Sequence, residues 1–140
     1  VTAVDFSDVA IERAAGLAVG RGVEIDLLLA DLNQYRPEPG AYDLVLVLYL
    51  HLPPTERAKV LAGAVEALAP GGTILVVGHD LENLERGYGG PPIPEILYTP
   101  ESIASELAPL SIVKVSREVR MVQTDDGIRE AIDTLVRAER

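Results

Sequence analysis

The run Tyr42-Asp43-Leu44-Val45-Leu46-Val47-Leu48-Tyr49-Leu50-His51-Leu52-Pro53 constrains the fold of this chain more than any other stretch. After Asp43 it is apolar without charge or alternation, rich in Val, and stopped by Pro53. That pattern suits a strand buried on both faces, in the middle of a parallel sheet. In open sheets of this kind ligands bind beyond the carboxyl ends of the strands, so Tyr49 to Pro54 is where chemistry is expected.

The flanking sequence repeats a strand–turn–helix pattern. Val1 to Val4 is a short β-rich run ending in Asp5; Ser7 then offers a helix cap, with Asp8 near the positive end of the dipole. Ile11, Ala14, Ala15 and Ala18 share one helical face, Glu12, Arg13 and Arg21 can reach water, and Gly20 and Gly22 end the element. Ile25 to Ala30 is a second strand, closed by Asp31-Leu32-Asn33, and Arg36 to Gly40 is a loop by its turn residues. Pro53-Pro54-Thr55-Glu56-Arg57 begins a helix whose stripe is Val60, Leu61, Ala64, Val65 and Leu68. Pro70-Gly71-Gly72 stops it, and Thr73 to Gly78 is another buried strand. Strands alternating with helices point to an α/β fold with crossover connections, a parallel sheet and helices on both faces.

Beyond His79 the pattern lapses: up to Pro94 the chain is polar and rich in Gly and Pro, too irregular for an element and long enough for a lid or substrate loop. Thr99 can cap a short helix with Pro100 at its first position, ended near Pro109. From Ile112 to Val122 the sequence alternates, with Val113, Val115, Val119 and Met121 on one side and Lys114, Ser116, Glu118 and Arg120 on the other. Thr124-Asp125-Asp126-Gly127 carries a hairpin signal. Ile128 to Arg137 then reads equally as a returning antiparallel strand or as a helix, since Ile128, Ile132, Leu135 and Val136 also make a helical stripe.

Composition removes several classes of function. With 140 residues, one domain with a single core is the expectation. The absence of cysteine excludes disulfides, thiolate metal sites and a cysteine nucleophile, and two histidines argue against a dedicated zinc site, so no metal is expected. A net charge of −10 without a basic cluster argues against nucleic acid as a partner. No apolar run approaches the roughly 20 residues a membrane span needs, and no basic segment precedes an apolar one. The chain therefore reads as soluble and cytoplasmic. It opens on a strand-like segment without an initiator Met, which reads as a start inside a larger protein.

Several segments together resemble the class I S-adenosylmethionine-dependent methyltransferases: Val4-Asp5-Phe6-Ser7 followed by Ala10-Ile11, Ala30-Asp31-Leu32, Tyr42-Asp43-Leu44-Val45, and Leu68-Ala69-Pro70-Gly71-Gly72-Thr73-Ile74-Leu75. The resemblance covers nearly the whole chain. Leu50-His51-Leu52-Pro53, Val77-Gly78-His79-Asp80 and the Gly-rich loop before Leu97-Tyr98-Thr99-Pro100 are similar to small bacterial enzymes of the tellurite-resistance and thiopurine type. The resemblance implies a Rossmann-like, mostly parallel sheet of seven strands in the order 3-2-1-4-5-7-6. It also makes Ile128 to Arg137 the last strand, inserted antiparallel as part of a C-terminal hairpin. The family's first strand and its glycine-rich loop are absent from this sequence. A gap of about 9.6 Å, two strand spacings, is then expected between Val1–Val4 and Asp43–Leu48. Residues 1–140 read as a single methyltransferase domain, N-terminally incomplete.

The resemblance also implies a methyl transfer from S-adenosyl-L-methionine to a small-molecule acceptor, and a set of site residues. Asp5, beside Phe6, would accept from the ribose diol, and Asp31 with Leu32 would contact the adenine. Leu48 and Tyr49 would contact the cofactor, with Tyr49 and Leu50 walling the sulfonium. His51 is the candidate general base, weighed against a histidine that only caps the next helix or bonds a backbone carbonyl. His79, together with Asp80, sits at the end of the following strand, and Tyr88 and Tyr98 flank the Pro/Gly loop and could close over an acceptor. Two rival readings remain: a dinucleotide-binding Rossmann domain of an oxidoreductase, and a truncated binding module without catalysis.

Overall fold

Strand β1 (Thr2–Asp5) pairs in parallel with β2 (Asp26–Leu29) in a computed structural model that describes residues 1–140. The connection is helix α1 (Asp8–Arg21), capped as its sequence implies. Ser7 Oγ accepts from the Ala10 N–H at 3.2 Å, and the Gly22 N–H closes the far end on the carbonyls of Ala18 and Val19. These elements make up one of two compact units, Val1–Arg36; the other is Pro37–Arg140. Burial in the first unit is thin. Ala18 is its one buried residue, and Ala15, expected on the covered face, is exposed along with Leu17 and Val19.

The second unit holds a four-stranded sheet in the order β3-β4-β6-β5, formed by β3 (Tyr42–Leu48), β4 (Leu68–His79), β5 (Ser111–Thr124) and β6 (Gly127–Glu139). Helix α2 (Pro54–Ala67) is the crossover between β3 and β4, which run parallel. Pro54 opens α2 with a ring that needs no N–H partner at a helix start, and Leu61, Ala64 and Ala67 carry its buried stripe onto Val47, Ile74 and Val76. Periodicity left Ile128 to Arg137 open between helix and strand; it is strand β6, antiparallel to both β4 and β5, as the resemblance implies. Tertiary pairing on two sides decides what periodicity alone could not. Between β4 and β5 lie a one-turn helix α3 (Asn83–Arg86), a 3-10 turn at Pro94–Ile96 and helix α4 (Pro100–Glu106). Thr99 and Ser102 form a reciprocal capping box at the start of α4.

Four expectations need correction. The sheet is not mostly parallel: two of the four strand pairings are parallel and two antiparallel. β3 is not buried on both faces: Val47 alone is buried, on the side of the core, while Leu44, Leu46 and Leu48 are exposed. The stretch from His79 to Pro94 is not wholly irregular, since α3 forms within it. The apolar side of β5 is not covered either: Val113, Val115, Val119 and Met121 are all exposed on this edge strand, which has a register shift between Ile112 and Lys114. The pairings themselves follow the order implied by the resemblance with its first strand left out, β2-β1 in one sheet and β3-β4-β6-β5 in the other. Pro70-Gly71-Gly72 bulges out inside β4, which advances from Leu68 to Thr73 while β3 advances from Tyr42 to Leu44.

Tyr98 is fully buried, and its ring lies against Gly78 of β4 so closely that any β-carbon there would overlap it. Gly78→Ala is therefore expected to cost about 1–3 kcal/mol through displacement of the ring. Urea unfolding checks this; an unchanged midpoint would show that the ring has room to move.

Candidate active site

The polar residues of the second unit gather at the ends of β3 and β4 because of strand register. His79 lies directly opposite Asp133 in the antiparallel β4–β6 ladder, and Asp133 lies opposite Glu118 of β5. Arg120, two residues past Glu118, is then the diagonal neighbour of Asp133, within reach of a long side chain. Its Nε donates to Asp133 Oδ2 at 3.0 Å. Tyr49 follows the last paired residue of β3, and its hydroxyl donates to the same oxygen at 2.8 Å. Tyr49 has a φ of 52°, uncommon for a bulky residue, and its N–H is held by the Val77 carbonyl at 2.7 Å. This left-handed turn ends β3.

Tyr49, His79 and Arg120 line an open cleft of about 410 Å³. Asp133 forms its floor, almost wholly buried, with one oxygen accepting two hydrogen bonds and the other facing His79 Nδ1 at 3.4 Å. That last pair is poorly aligned, and both atoms are buried without a hydrogen bond. Gly90, at a φ of +86°, lays the Gly-rich loop against the His79 imidazole where a β-carbon would collide with it. Burial lowers the pKa of His79, and the neighbouring His51 adds to this while Asp133 opposes it. Burial and the bond to Asp133 raise that of Tyr49, which stays a phenol and a donor.

The histidines stack at 5.3 Å with 12° between ring planes, yet their roles differ. His51 Nδ1–H donates to the Ile96 carbonyl at 3.0 Å, and its Nε2 accepts from the His79 backbone N–H at 3.3 Å. Both nitrogens are thus engaged by backbone, so no lone pair is left for a substrate proton. Of the two readings weighed for His51, this arrangement fits the histidine that bonds a backbone carbonyl; it fastens the turn after β3. Burial lowers its pKa as well, with Arg57 adding to the effect.

Tyr98 is not a lid. Fully buried, it donates its hydroxyl to the Leu50 carbonyl, and its pKa is pushed up to about 12 by burial. The Arg57 guanidinium lies 5.2 Å from its ring centre and grips Glu106 through Nε and Nη2. Tyr88 is half-exposed in the loop beyond α3. Asp80 is fully buried and structural: it accepts from Thr134 Oγ1 and the Glu82 N–H and pairs with Arg117.

In the first unit, Asp5 and Asp31 lie at or just past the carboxyl ends of the paired parallel strands β1 and β2. Asp5 Oδ1 accepts from the Ser7 N–H at 2.8 Å, leaving Oδ2 without a protein partner. Asp31 accepts from the Asn33 N–H and Gln34 Nε2. Phe6 is 72 % exposed beside Asp5, and Leu32 is half-buried.

A family model described as a methyltransferase domain matches residues 1–72, just over half of the chain. The chain belongs to this methyltransferase domain family. The match runs through Asp5, Asp31, β3, Tyr49 and His51, and so spans parts of both units. No curated protein sequence matches significantly. Among solved structures, an S-adenosylmethionine-dependent methyltransferase from Methanosarcina mazei is 14 % identical with a TM-score of 0.72, over 99 % of this chain and 81 % of its own. TehB from Haemophilus influenzae is 13 % identical with a TM-score of 0.75, over 99 % of this chain and 49 % of its own. The N-methyltransferase NodS from Bradyrhizobium japonicum, in complex with S-adenosyl-L-homocysteine, is 20 % identical with a TM-score of 0.72, over 99 % of this chain and 65 % of its own. The methyltransferase fold is thus shared, while this chain spans only about half of TehB.

Sequence reading missed Asp133 and Arg120. Their signal was the Thr124-Asp125-Asp126-Gly127 hairpin, whose turn sets Thr124 opposite Gly127 and so Glu118 opposite Asp133, a register the sequence reading did not draw. Because both histidine pKa values are lowered in the folded chain, the unfolded chain binds more protons below about pH 6.5. Stability is then fully present above that pH and lost as pH falls through it toward the folded values. The urea midpoint is expected to drop between about pH 7 and about pH 5.5. His51→Gln should flatten this decline and cost about 1–3 kcal/mol at neutral pH through the Ile96 carbonyl and His79 N–H left unpaired. A decline of equal slope in the variant would show that carboxylates cause it instead.

Proposed function

We propose that residues 1–140 act as one methyltransferase domain that moves a methyl group from S-adenosyl-L-methionine to a small-molecule acceptor received between Tyr49, His79 and Arg120. The observation that carries this reading is the family match, which includes the strand ends bearing Asp5 and Asp31 and the whole of β3. The residues present suit the group. Asp5 has a free carboxylate oxygen at a strand end, the chemistry a ribose diol needs, and the exposed Phe6 adds apolar surface beside it. Asp31 can still accept from an exocyclic amine, since each carboxylate oxygen has more than one lone pair. The Leu32 backbone would contact the adenine ring. Leu48 and Tyr49, both exposed at the end of β3, would hold the sulfonium side. When bound, S-adenosyl-L-methionine supplies an electrophilic methyl group on a cationic sulfur.

The acceptor side of the reading rests on the cleft. It presents one neutral imidazole, one phenol and one guanidinium, groups that a small polar molecule can meet. Tyr88 on the adjoining loop is a proposed substrate contact. Tyr98 supports the site from beneath. The −10 charge speaks against a polyanionic partner, no helix is long and apolar enough to cross a membrane, and the cytoplasm is the proposed location. The antiparallel β6 between β4 and β5 favours the methyltransferase over a dinucleotide-binding oxidoreductase domain.

Calorimetric titration with S-adenosyl-L-homocysteine tests the reading directly. One ligand per chain is expected, with Asp5→Ala weakening binding by roughly 10- to 100-fold, the effect of losing charge-assisted hydrogen bonds. No binding at millimolar concentration would refute the assignment of these residues to the cofactor.

A further inference from the structure

We propose that His79, held by Asp133, takes the proton from the acceptor, and that the acceptor reacts through a hydroxyl group. This rests on the methyltransferase reading and moves the role of base from His51 to the residue stacked on it.

The two imidazoles differ in what their nitrogens face. Both nitrogens of His51 are committed to backbone groups. His79 Nδ1 faces Asp133 Oδ1 at 3.4 Å, and no protein group bonds its Nε2, while the ring lines the cleft. A carboxylate opposite Nδ1 selects the tautomer with the proton on that nitrogen, which puts the lone pair on Nε2. Asp133 is itself fixed, because Tyr49 and Arg120 both donate to its other oxygen. Its freedom to turn is gone, so the unbonded oxygen stays aimed at the imidazole. Two buried polar atoms facing each other without an aligned bond call for an explanation. A catalytic pair that tightens when substrate arrives supplies one, since such bonds are often long in the empty site.

Charge around the cleft selects the acceptor. His79 is faced by Tyr49 from β3, His51 from the turn after β3, Asp133 from β6 and Arg120 from β5. Arg120 uses Nε for Asp133, is half-exposed, and stands 5.8 Å from the centre of the Tyr49 ring. The guanidinium nitrogens that Asp133 leaves free can donate to a developing oxyanion, whereas an ammonium acceptor has no lone pair to receive them. An acceptor that is already anionic needs no base. In the step, the acceptor O–H bond breaks and its proton goes to His79 Nε2. The oxygen forms a bond to the methyl carbon, and the electron pair of the broken carbon–sulfur bond returns to sulfur. The imidazolium then releases the proton to water. In this scheme His79 is catalytic, and Asp133 is a positioning residue that acts through it.

The experiment is a ¹⁵N-detected titration of imidazole resonances in the uncomplexed protein, which has just two histidines to assign. Neutral His79 is expected as the Nδ1–H tautomer, titrating below the ordinary histidine value, and Asp133→Asn should shift its titration lower still because the carboxylate stabilises the charged ring. Neutral His79 with its proton on Nε2 would overturn the proposal. With S-adenosyl-L-methionine and a phenol as probe acceptor, His79→Gln should lower kcat by about 10²-fold or more. Affinity for S-adenosyl-L-homocysteine should stay unchanged, and a thiolate acceptor should lose far less. Equal loss for phenol and thiolate would assign His79 to structure and overturn the proposal. Failure of the wild type to bind S-adenosyl-L-homocysteine would instead count against the methyltransferase reading, and the tautomer result separates the two.

Discussion

The contact between Tyr98 and Gly78 is the constraint on which the second unit depends. The ring occupies the space a side chain on β4 would need, and its hydroxyl, sealed from water, must find an acceptor. It finds the Leu50 carbonyl, at the point where the chain has just left β3. One buried phenol thus fixes the turn that carries His51, and His51 in turn holds the backbone of His79. Arg57 closes the underside: its guanidinium lies over the ring and its charge is met by Glu106. A buried guanidinium with one partner is costly to disturb, because removing the carboxylate leaves a charge without compensation. The helices α2 and α4 are therefore tied through the same ring that positions the cleft.

Above that support, the electrostatics of the cleft follow from burial. Asp133 stands in a strand, almost without access to water, and stays tolerable because a phenol and a guanidinium converge on one of its oxygens. The proximity of Asp133 favours a charged His79, yet burial and the second histidine outweigh it. The result is a neutral imidazole near physiological pH. Its proton affinity is held down by surroundings rather than by a missing partner, the condition under which a histidine can accept a proton and give it back.

Much of this was legible in the sequence where the code is local. Ser7, Thr99 and Pro100 cap or open their helices as their positions imply, and the Asp125–Gly127 turn closes the hairpin it announces. The strand-end carboxylates also fall where a parallel pairing puts them. What failed was inference that needed a neighbour. The apolar run of β3 says that both faces are suited to cover, not that both are covered. The alternation of β5 likewise describes a strand that could present its valines to a core, whereas in the sheet it is an edge. Asp133 and Arg120 were missed for the same reason. Their meeting is a property of the register of β5 against β6, which the hairpin turn sets, and no spacing along one strand contains it. The base followed suit: His51 and His79 look alike in sequence, and only their hydrogen-bond partners tell them apart.

The end of β3 carries a second constraint on the cleft. Leu44, Leu46 and Leu48 alternate with Val45 and Val47, so one row packs toward the core while the other stays open. The strand ends abruptly in the left-handed Tyr49, which breaks the extended run. The same left-handed residue turns its hydroxyl into the bond with Asp133. The geometry that ends the strand is thus also the geometry that builds the floor of the cleft, so a substitution that relaxed Tyr49 would loosen the site.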